Sequence, residues 1–179
     1  MHWDQLTYVT DLCDKLTPGV IEMPHVVFVL GLCGSGKSRR AKELESQGFT
    51  SFDEKSIGRP VHPNRQEWPN SAYPDFVQAV VEGKNCVVTE VAFYDRVLRQ
   101  IVTSELISKR PDVVIEWECF DITDLEIANC NCINDPERTA VGVKNNLEQN
   151  RMTVQCLRDG TYELPADCKR LKTSPNQGC

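Results

Sequence analysis

Apolar and polar positions along the chain follow two patterns, one typical of buried strands and the other of amphipathic helices. Residues 25–31 are almost continuously apolar and rich in β-branched side chains, which favours a strand buried on both faces. Further strands are predicted at 49–52, 85–91, 112–120 and, for the last one, either 153–157 or 161–164. Helices are predicted at 38–47, 75–82, 94–109, 123–131 and from 136 to about 150. Strands that alternate with helices predict a parallel, doubly wound α/β sheet.

The whole chain is predicted to form a single domain, which includes an N-terminal extension and a long irregular loop. No repeat and no flexible linker divides the 179 residues, so one domain spanning 1–179 is expected. Apolar residues from Trp3 to Leu16 recur at helical spacing and predict an N-terminal helix within an extension over residues 1–20. Residues 53–72 show no periodicity and contain three prolines, and an irregular stretch of this length indicates a functional or mobile loop.

Two glutamates conflict with the predicted sheet. Glu116 and Glu118 fall on one face of the strand 112–120, although a central parallel strand is usually apolar on both faces. Either that strand is shorter than the pattern indicates, or that face of the sheet is open.

Composition narrows the class of protein. The chain carries 20 Lys and Arg against 26 Asp and Glu, a net charge of −6, and 40% of its residues are hydrophobic. These values exclude disordered, collagen-like and coiled-coil proteins. The net negative charge provides no overall electrostatic attraction to nucleic acid. The start of the sequence lacks the pattern of a secretion signal, and the longest apolar stretch, 26–33, is too short to span a bilayer. A cytoplasmic protein without a membrane partner is therefore expected.

Nine cysteines stand out in this composition. Their odd number and scattered placement favour free thiols in a reducing compartment over a framework of disulfides. The alternative is a zinc site formed by Cys130, Cys132, Cys156 and Cys168. The spacing of these four fits none of the usual paired-cysteine patterns, so free thiols are the expectation and the role of the cysteines stays open.

One motif carries a specific chemical prediction. The sequence Gly31-Leu-Cys-Gly-Ser-Gly-Lys-Ser38 matches G-x-x-x-x-G-K-[ST] at every fixed position and lies between a predicted strand and a predicted helix. Glycines allow backbone N–H groups to converge on phosphate oxygens, and the positive end of the following helix points at the same place. Lys37 is expected to reach the β- and γ-phosphates, and the Ser38 hydroxyl to join the shell of Mg²⁺. The predicted nucleotide-binding residues are Gly31, Cys33, Gly34, Ser35, Gly36, Lys37, Ser38 and Arg39.

Cations follow this loop directly. Arg39 and Arg40 fall in the first turn of the predicted helix, where positive charge opposes the helix dipole. A bound phosphate would offset that unfavourable placement, and simple solvation of both side chains is the alternative.

Two acidic residues stand where predicted strands end. Ligands of open α/β sheets bind at the carboxyl ends of the strands, so acids at those ends are candidates for chemistry. Asp53 directly follows the second strand and suits a base that orients an acceptor hydroxyl toward the γ-phosphate. Glu90 ends the third strand, where an acid holds Mg²⁺ directly or through water. The alternative for each is a solvated carboxylate.

The late helix carries a second group of charges. Asp135 is predicted as its N-cap and Pro136 as its first residue, which puts Arg138 in the first turn. Lys144 and Arg151 share one helix face, while Arg138 points away from them. A mobile helix with such cations would close over ATP and neutralise charge during phosphoryl transfer. An ordinary mixed-charge surface is the alternative.

Together these features resemble the small P-loop kinases, and more narrowly the group of polynucleotide 5′-hydroxyl kinases and nucleoside kinases. The features that carry the resemblance are the GLCGSGKS loop, Asp53, the Val-Val-Thr-Glu90 strand and the Asp-Pro-Glu-Arg138 helix start. The resemblance implies a three-layer α/β P-loop NTPase fold with a mostly parallel five-stranded sheet and a helical lid over about 132–155. The predicted N-terminal helix and the tail over 166–179 have no counterpart in the family pattern.

The resemblance also implies an activity and its residues. ATP and Mg²⁺ are the implied cofactors, and the predicted catalytic residues are Lys37, Asp53, Arg138 and Arg151. In this family the segment after the second strand commonly lines the acceptor site, which here contains Lys55, Arg59, His62, Arg65 and Trp68. The predicted substrate-binding residues are Asp53, Lys55, Arg59, Arg65 and Glu90, and the predicted metal ligands are Ser38 and Glu90.

An ATP-dependent phosphotransferase with a hydroxyl or phosphate acceptor is the leading hypothesis. A polynucleotide 5′-end is favoured by the cations near Trp68 and Tyr73, but net acidity weakens that choice, and a nucleoside or small metabolite fits equally well. A non-catalytic ATP-binding regulator is the alternative. A GTPase is less favoured because the chain lacks an Asn-Lys-x-Asp sequence for guanine recognition.

Overall fold

A five-stranded sheet lies at the centre of the computed structural model, which describes residues 23–53, 73–176 and 179. Its strands are β1 (His25–Leu30), β2 (Thr50–Asp53), β3 (Cys86–Thr89), β4 (Val114–Phe120) and β5 (Lys169–Leu171). Their order is β2-β3-β1-β4-β5, and every neighbouring pair is parallel. Because β1 is central, the residues that follow it leave from the middle of the carboxyl edge of the sheet.

Helices cover both faces of this sheet. The described α-helices are α1 (Lys37–Glu45), α2 (Tyr73–Val81), α3 (Arg96–Lys109), α4 (Leu125–Ile133) and α5 (Ala140–Arg158). Successive residues of β1 point to opposite faces, so Val27 and Val29 pack with α1 while Val26 and Phe28 pack with α2 and α3. Burial on both faces explains the apolar run of β1. The predicted three-layer α/β fold is confirmed.

The prediction for the last strand is wrong. Residues 153–157 belong to α5, and residues 161–164 form no strand. Val154 is buried with Leu32 and Ala128, which places it on the inner face of a helix and not in a sheet. The observed β5 has the sequence Lys-Arg-Leu and pairs with β4 at the edge of the sheet. An edge strand this short and polar carries no apolar pattern that would reveal it.

The predicted start of the late helix is also wrong. The Thr139 hydroxyl accepts a hydrogen bond from the Gly142 N–H at 3.1 Å, and α5 begins at the next residue, Ala140. The predicted N-cap, Asp135, instead accepts bonds from the Glu137 N–H at 3.1 Å and from Arg138 Nε at 2.7 Å. These bonds close a turn before the helix. Arg138 therefore lies between α4 and α5, outside the first helical turn.

The structure resolves the conflict over the two glutamates of β4. The strand includes both residues, and Glu118 is fully buried. Its carboxylate accepts hydrogen bonds from Arg40 Nε at 2.6 Å, Arg40 Nη2 at 2.8 Å and Lys169 Nζ at 2.7 Å. Burial alone would raise the pKa of Glu118, but the bonds from Arg40 and Lys169 outweigh it, and the pKa lies below its usual value. Glu116 is partly exposed and pairs with His25.

Replacing Glu118 with glutamine is expected to lower the free energy of unfolding by about 3 kcal/mol at pH 7, because it breaks a buried charge pair. The folded-state pKa of Glu118 is lowered, so the stabilisation is complete above the unfolded pKa and is lost as the pH falls through the folded value. The difference in unfolding free energy between the wild-type chain and Glu118→Gln should therefore be smaller in acid than at pH 7. Urea unfolding at pH 7 and at an acidic pH measures this difference, with Glu116→Gln as the control on the same strand. Equal effects of the two substitutions at pH 7 would contradict the role assigned to the buried network.

Candidate phosphate-binding site

The predicted phosphate loop connects β1 to α1 and depends on two glycines. Gly34 and Gly36 have φ values of 82° and 112°, in the left-handed region that favours glycine. A Cβ on Gly34 would collide with the carbonyl oxygen of Ala128 and would lie 2.8 Å from Cys132 Sγ. Glycine at position 34 therefore allows α4 to pack directly against the loop.

The start of α1 has the properties of an anion site. Its N-cap is Gly36, which provides no side-chain hydrogen bond, and its first turn contains no acidic residue. The first N–H groups of a helix lack partners within the helix, and the helix dipole makes this end positive. Beside them, the Ser35 hydroxyl is buried without a hydrogen-bond partner among the described residues. Donors left in this way fit the oxygens of a phosphate group.

Lys37 folds back over the loop that precedes it. Its Nζ donates to the carbonyl oxygens of Gly31 at 2.8 Å and Leu32 at 3.0 Å. An ammonium group has three N–H donors, so these two bonds leave one for a further acceptor. The positive charge is thus held at the loop, where a phosphate would meet it. Ser38, the predicted Mg²⁺ ligand, follows in the first turn of α1 and is exposed.

The two arginines after the loop have different environments. Arg39 is exposed and donates to the Asn176 side chain at 3.3 Å. Arg40 turns away to Glu118 and Glu43, and the bond to Glu118 is the main cause of its raised pKa. The idea that a phosphate offsets the charge of Arg40 is therefore wrong, because carboxylates of the chain already do so.

A cavity of about 190 Å³ opens beside the loop, toward the ends of β4 and β5. The Phe120 ring and the Leu171 side chain give it apolar walls, and Arg39 and Lys172 give it positive charge. It continues the phosphate loop at Ser35 and Gly36. The cavity therefore adjoins any phosphate that the loop holds.

Asp53 and Glu90 lie at the same carboxyl edge of the sheet. Asp53 ends β2 and pairs in register with Thr89, the residue before Glu90. Asp53 is exposed, whereas Glu90 is buried and its carboxylate accepts a bond from the Ala92 N–H at 2.8 Å. Glu90 therefore caps the short 3₁₀ turn that follows β3, in addition to any role toward a ligand.

The cations of the late segment form two separate groups. Lys144 and Arg151 both line an open cleft between α4 and α5, which agrees with their predicted common face. Arg151 is exposed, and its Nε donates to Glu148 at 3.0 Å. Arg138 lies apart from them in the turn before α5, paired with Asp135.

Two buried asparagines that the sequence analysis missed contact the loop. Asn150 of α5 bonds to both backbone groups of Cys33, accepting from its N–H at 2.7 Å and donating to its carbonyl at 3.0 Å. Asn131 of α4 donates to the Gly34 carbonyl at 2.8 Å. A signal was present, since Asn150 occupies the inner face of its helix, one turn before the buried Val154.

The cysteines depart from the prediction at two positions. Cys130 and Cys179 are joined in a disulfide, so the expectation of free thiols is wrong for this pair. Cys33, Cys86, Cys119, Cys132, Cys156 and Cys168 are free. Burial raises the pKa of Cys86 to about 12, which fits a thiol that acts as a small apolar side chain. Within the described ranges no group of three or more His, Cys, Asp or Glu side chains is placed to bind a metal ion, the proposed zinc quartet included.

Some predictions concern residues outside the described ranges. The predicted N-terminal helix falls there, as do Lys55, Arg59, His62, Arg65 and Trp68 of the predicted acceptor segment. Among the helices that are described, none is long and apolar enough to cross a membrane.

Comparisons with known proteins give likeness of fold only. No family model and no curated protein matches the chain. A gluconokinase from Sinorhizobium meliloti is 14% identical, with a TM-score of 0.48 over 87% of this chain and 85% of that one. Chaetomium thermophilum Kti12 in complex with ADP-AlF3 is 17% identical, with a TM-score of 0.47 over 85% and 91%. A tunicamycin resistance protein from Deinococcus radiodurans is 16% identical, with a TM-score of 0.40 over 80% and 99%.

The geometry of the chain itself defines its fold. A central parallel strand, a glycine-rich loop of the G-x-x-x-x-G-K-[ST] type and a helix follow one another, as in the P-loop unit. The strands on either side of β1 are parallel to it, and helices cover both faces. The described residues therefore have an α/β fold of the P-loop type.

Proposed function

We propose that the chain is an ATP-dependent phosphotransferase that moves the γ-phosphate to a hydroxyl or phosphate acceptor. The observation that carries the proposal is the uncapped start of α1 behind Gly34 and Gly36, with Lys37 Nζ held at the loop. The acceptor is a nucleoside, a polynucleotide 5′-end or a small metabolite, and the expected compartment is the cytoplasm.

The nucleotide would bind along the loop and the adjoining cavity. Backbone N–H groups of residues 36–38 and the Lys37 ammonium would hold its phosphates. The cavity beside Phe120 would take the nucleoside, with Arg39 at its edge. The Ser38 hydroxyl and the Glu90 carboxylate are the proposed ligands of Mg²⁺, which would neutralise phosphate charge when bound.

The transfer step would use groups at the same edge of the sheet. The Asp53 carboxylate is the proposed base, which takes the proton from the acceptor hydroxyl. The hydroxyl oxygen forms a bond to the γ-phosphorus while the bond from that phosphorus to ADP breaks, and ADP leaves. Arg138 and Arg151 are the proposed lid arginines, which requires each to exchange its present carboxylate partner for a phosphate oxygen. Lys55, Arg59 and Arg65 are proposed to contact the acceptor, together with Asp53 and Glu90.

The test is release of ADP from ATP and Mg²⁺ across a panel of acceptors, with GTP supplied in parallel. The panel contains 5′-hydroxyl oligonucleotides, nucleosides, nucleotides and small alcohols. We expect ADP release to depend on one class of acceptor and the phosphate to appear on that acceptor. ATP binding without turnover would favour the non-catalytic regulator, and acceptor-independent hydrolysis of GTP would favour a GTPase. Either result would overturn the proposed function.

A further inference from the structure

In the phosphate loop, backbone groups of Cys33 and Gly34 are bonded to side chains of α5 and α4. Loop peptides that face away from a phosphate need other partners, because an unpaired buried peptide group is unfavourable. At Cys33 both backbone groups are bonded to the single carboxamide of Asn150, at 2.7 Å and 3.0 Å. Asparagine suits this position because its side chain carries an acceptor and two donors, like a peptide unit.

The Asn150 carboxamide is itself held in one orientation. Only 1% of the residue is exposed, and its second amide hydrogen bonds to Asn129 Oδ1 at 2.9 Å. With Oδ1 accepting from Cys33 and Nδ2 donating twice, all but one of its bonding positions are used. The side chain is therefore ordered before any ligand binds.

Asn131 likewise bonds to the backbone of the loop, at the next residue, Gly34. It is also buried, and its Nδ2 donates to the carbonyl oxygens of Gly34 at 2.8 Å and Ser174 at 3.0 Å. Its Oδ1 accepts from the Asn176 N–H at 2.7 Å. The loop is thereby tied to α4 and to the segment after β5, which lines the cavity beside the loop.

We propose that Asn150, with Asn131, is a positioning residue of the nucleotide site, which fixes the peptides of residues 33 and 34 so that the N–H groups of residues 36–38 converge on the β-phosphate. The inference rests on the proposed nucleotide site. It adds that recognition of the β-phosphate depends on α5, whose Asn150 is 117 residues away from Cys33 in the sequence. No contact between either asparagine and the nucleotide is required.

The test compares affinities for ADP and AMP, since ADP alone offers a β-phosphate. Calorimetric titrations in Mg²⁺ are made on the full chain and on Asn150→Ala. Loss of the bonds to Cys33 is expected to weaken ADP binding by about tenfold or more while AMP binding changes little. A purely structural role would lower the thermal midpoint and leave the ratio of the two affinities unchanged. Asn145→Ala, an exposed asparagine on the same helix, is the matched control.

A second variant keeps the test decisive where Asn150→Ala fails to fold. Asn150→Asp retains an acceptor for the Cys33 N–H but places a carboxylate against the Cys33 carbonyl. Protonation restores one donor, so the ADP-to-AMP affinity ratio should recover toward the wild-type ratio as the pH is lowered. Gln149→Glu controls for charge, because this neighbour on α5 contacts the side-chain thiol of Cys33.

The outcomes separate two failures. A wild-type chain that binds ADP no better than AMP would overturn the proposed function, and this inference with it. A wild-type preference for ADP that survives in Asn150→Ala, or an Asn150→Asp variant that behaves like Gln149→Glu at every pH, would overturn the inference alone.

Discussion

Replacing Lys37 with alanine is expected to reduce acceptor-dependent ADP formation by about a hundredfold to a thousandfold, to the level of background. The Lys37 ammonium is held at the loop by the carbonyl oxygens of Gly31 and Leu32 and would stabilise charge on the transferring phosphate. The measurement is the initial rate with the best acceptor of the panel at saturating ATP.

The control for this variant is Lys42→Ala, which removes an exposed lysine from the last turn of the same helix. It should retain the wild-type rate, because Lys42 lies away from the loop. Transfer by Lys37→Ala at more than about a tenth of the wild-type rate, with folding unchanged, would contradict the placement of the γ-phosphate at this loop.

The Asp53→Asn variant should bind ATP normally and yet transfer phosphate at a rate lower by about two to four orders of magnitude. Asparagine keeps the shape of the side chain but cannot accept the proton of an acceptor hydroxyl. ATP affinity is measured by titration and transfer by single turnover, so that binding and chemistry are read separately.

Asp75→Asn is the matched control for this substitution, since Asp75 is an exposed carboxylate in the first turn of α2. It should leave both quantities unchanged. Retained transfer in Asp53→Asn would assign the base to another acid, either Glu90 or Glu54, which lies outside the described residues.

Two strands of the sheet could be predicted directly because they are apolar on both faces. β1 and β3 are such runs, and their pairing in the centre of the sheet follows from burial. β5 could not be predicted, because it is held by backbone pairing with β4 and by the bond between Lys169 and Glu118. Both depend on residues about fifty positions earlier in the chain.

The candidate site divides in the same way. The phosphate loop could be predicted because its glycines, Lys37 and Ser38 lie in one short segment, and their spacing is that of a phosphate-binding loop. Helical spacing could place Asn150 on the inner face of its helix, but the contacts of Asn150 with Cys33 and of Asn131 with Gly34 could not be predicted, because these partners lie 117 and 97 residues away. The environment of Arg40 was likewise decided by Glu118, 78 residues away. Hydrophobic periodicity and short motifs carry no information about contacts between residues so far apart in the sequence.

The central claim is that the backbone N–H groups at the start of α1, next to Gly34 and Gly36, hold the phosphates of a nucleotide. The most direct measurement is a titration of the wild-type chain with ADP and, separately, AMP in Mg²⁺, followed by NMR at the backbone amides of residues 36–38. We expect large downfield shifts of these amides with ADP and small ones with AMP, because only ADP places a phosphate on them. Equal responses to both ligands, or changes confined to other parts of the chain, would contradict the account.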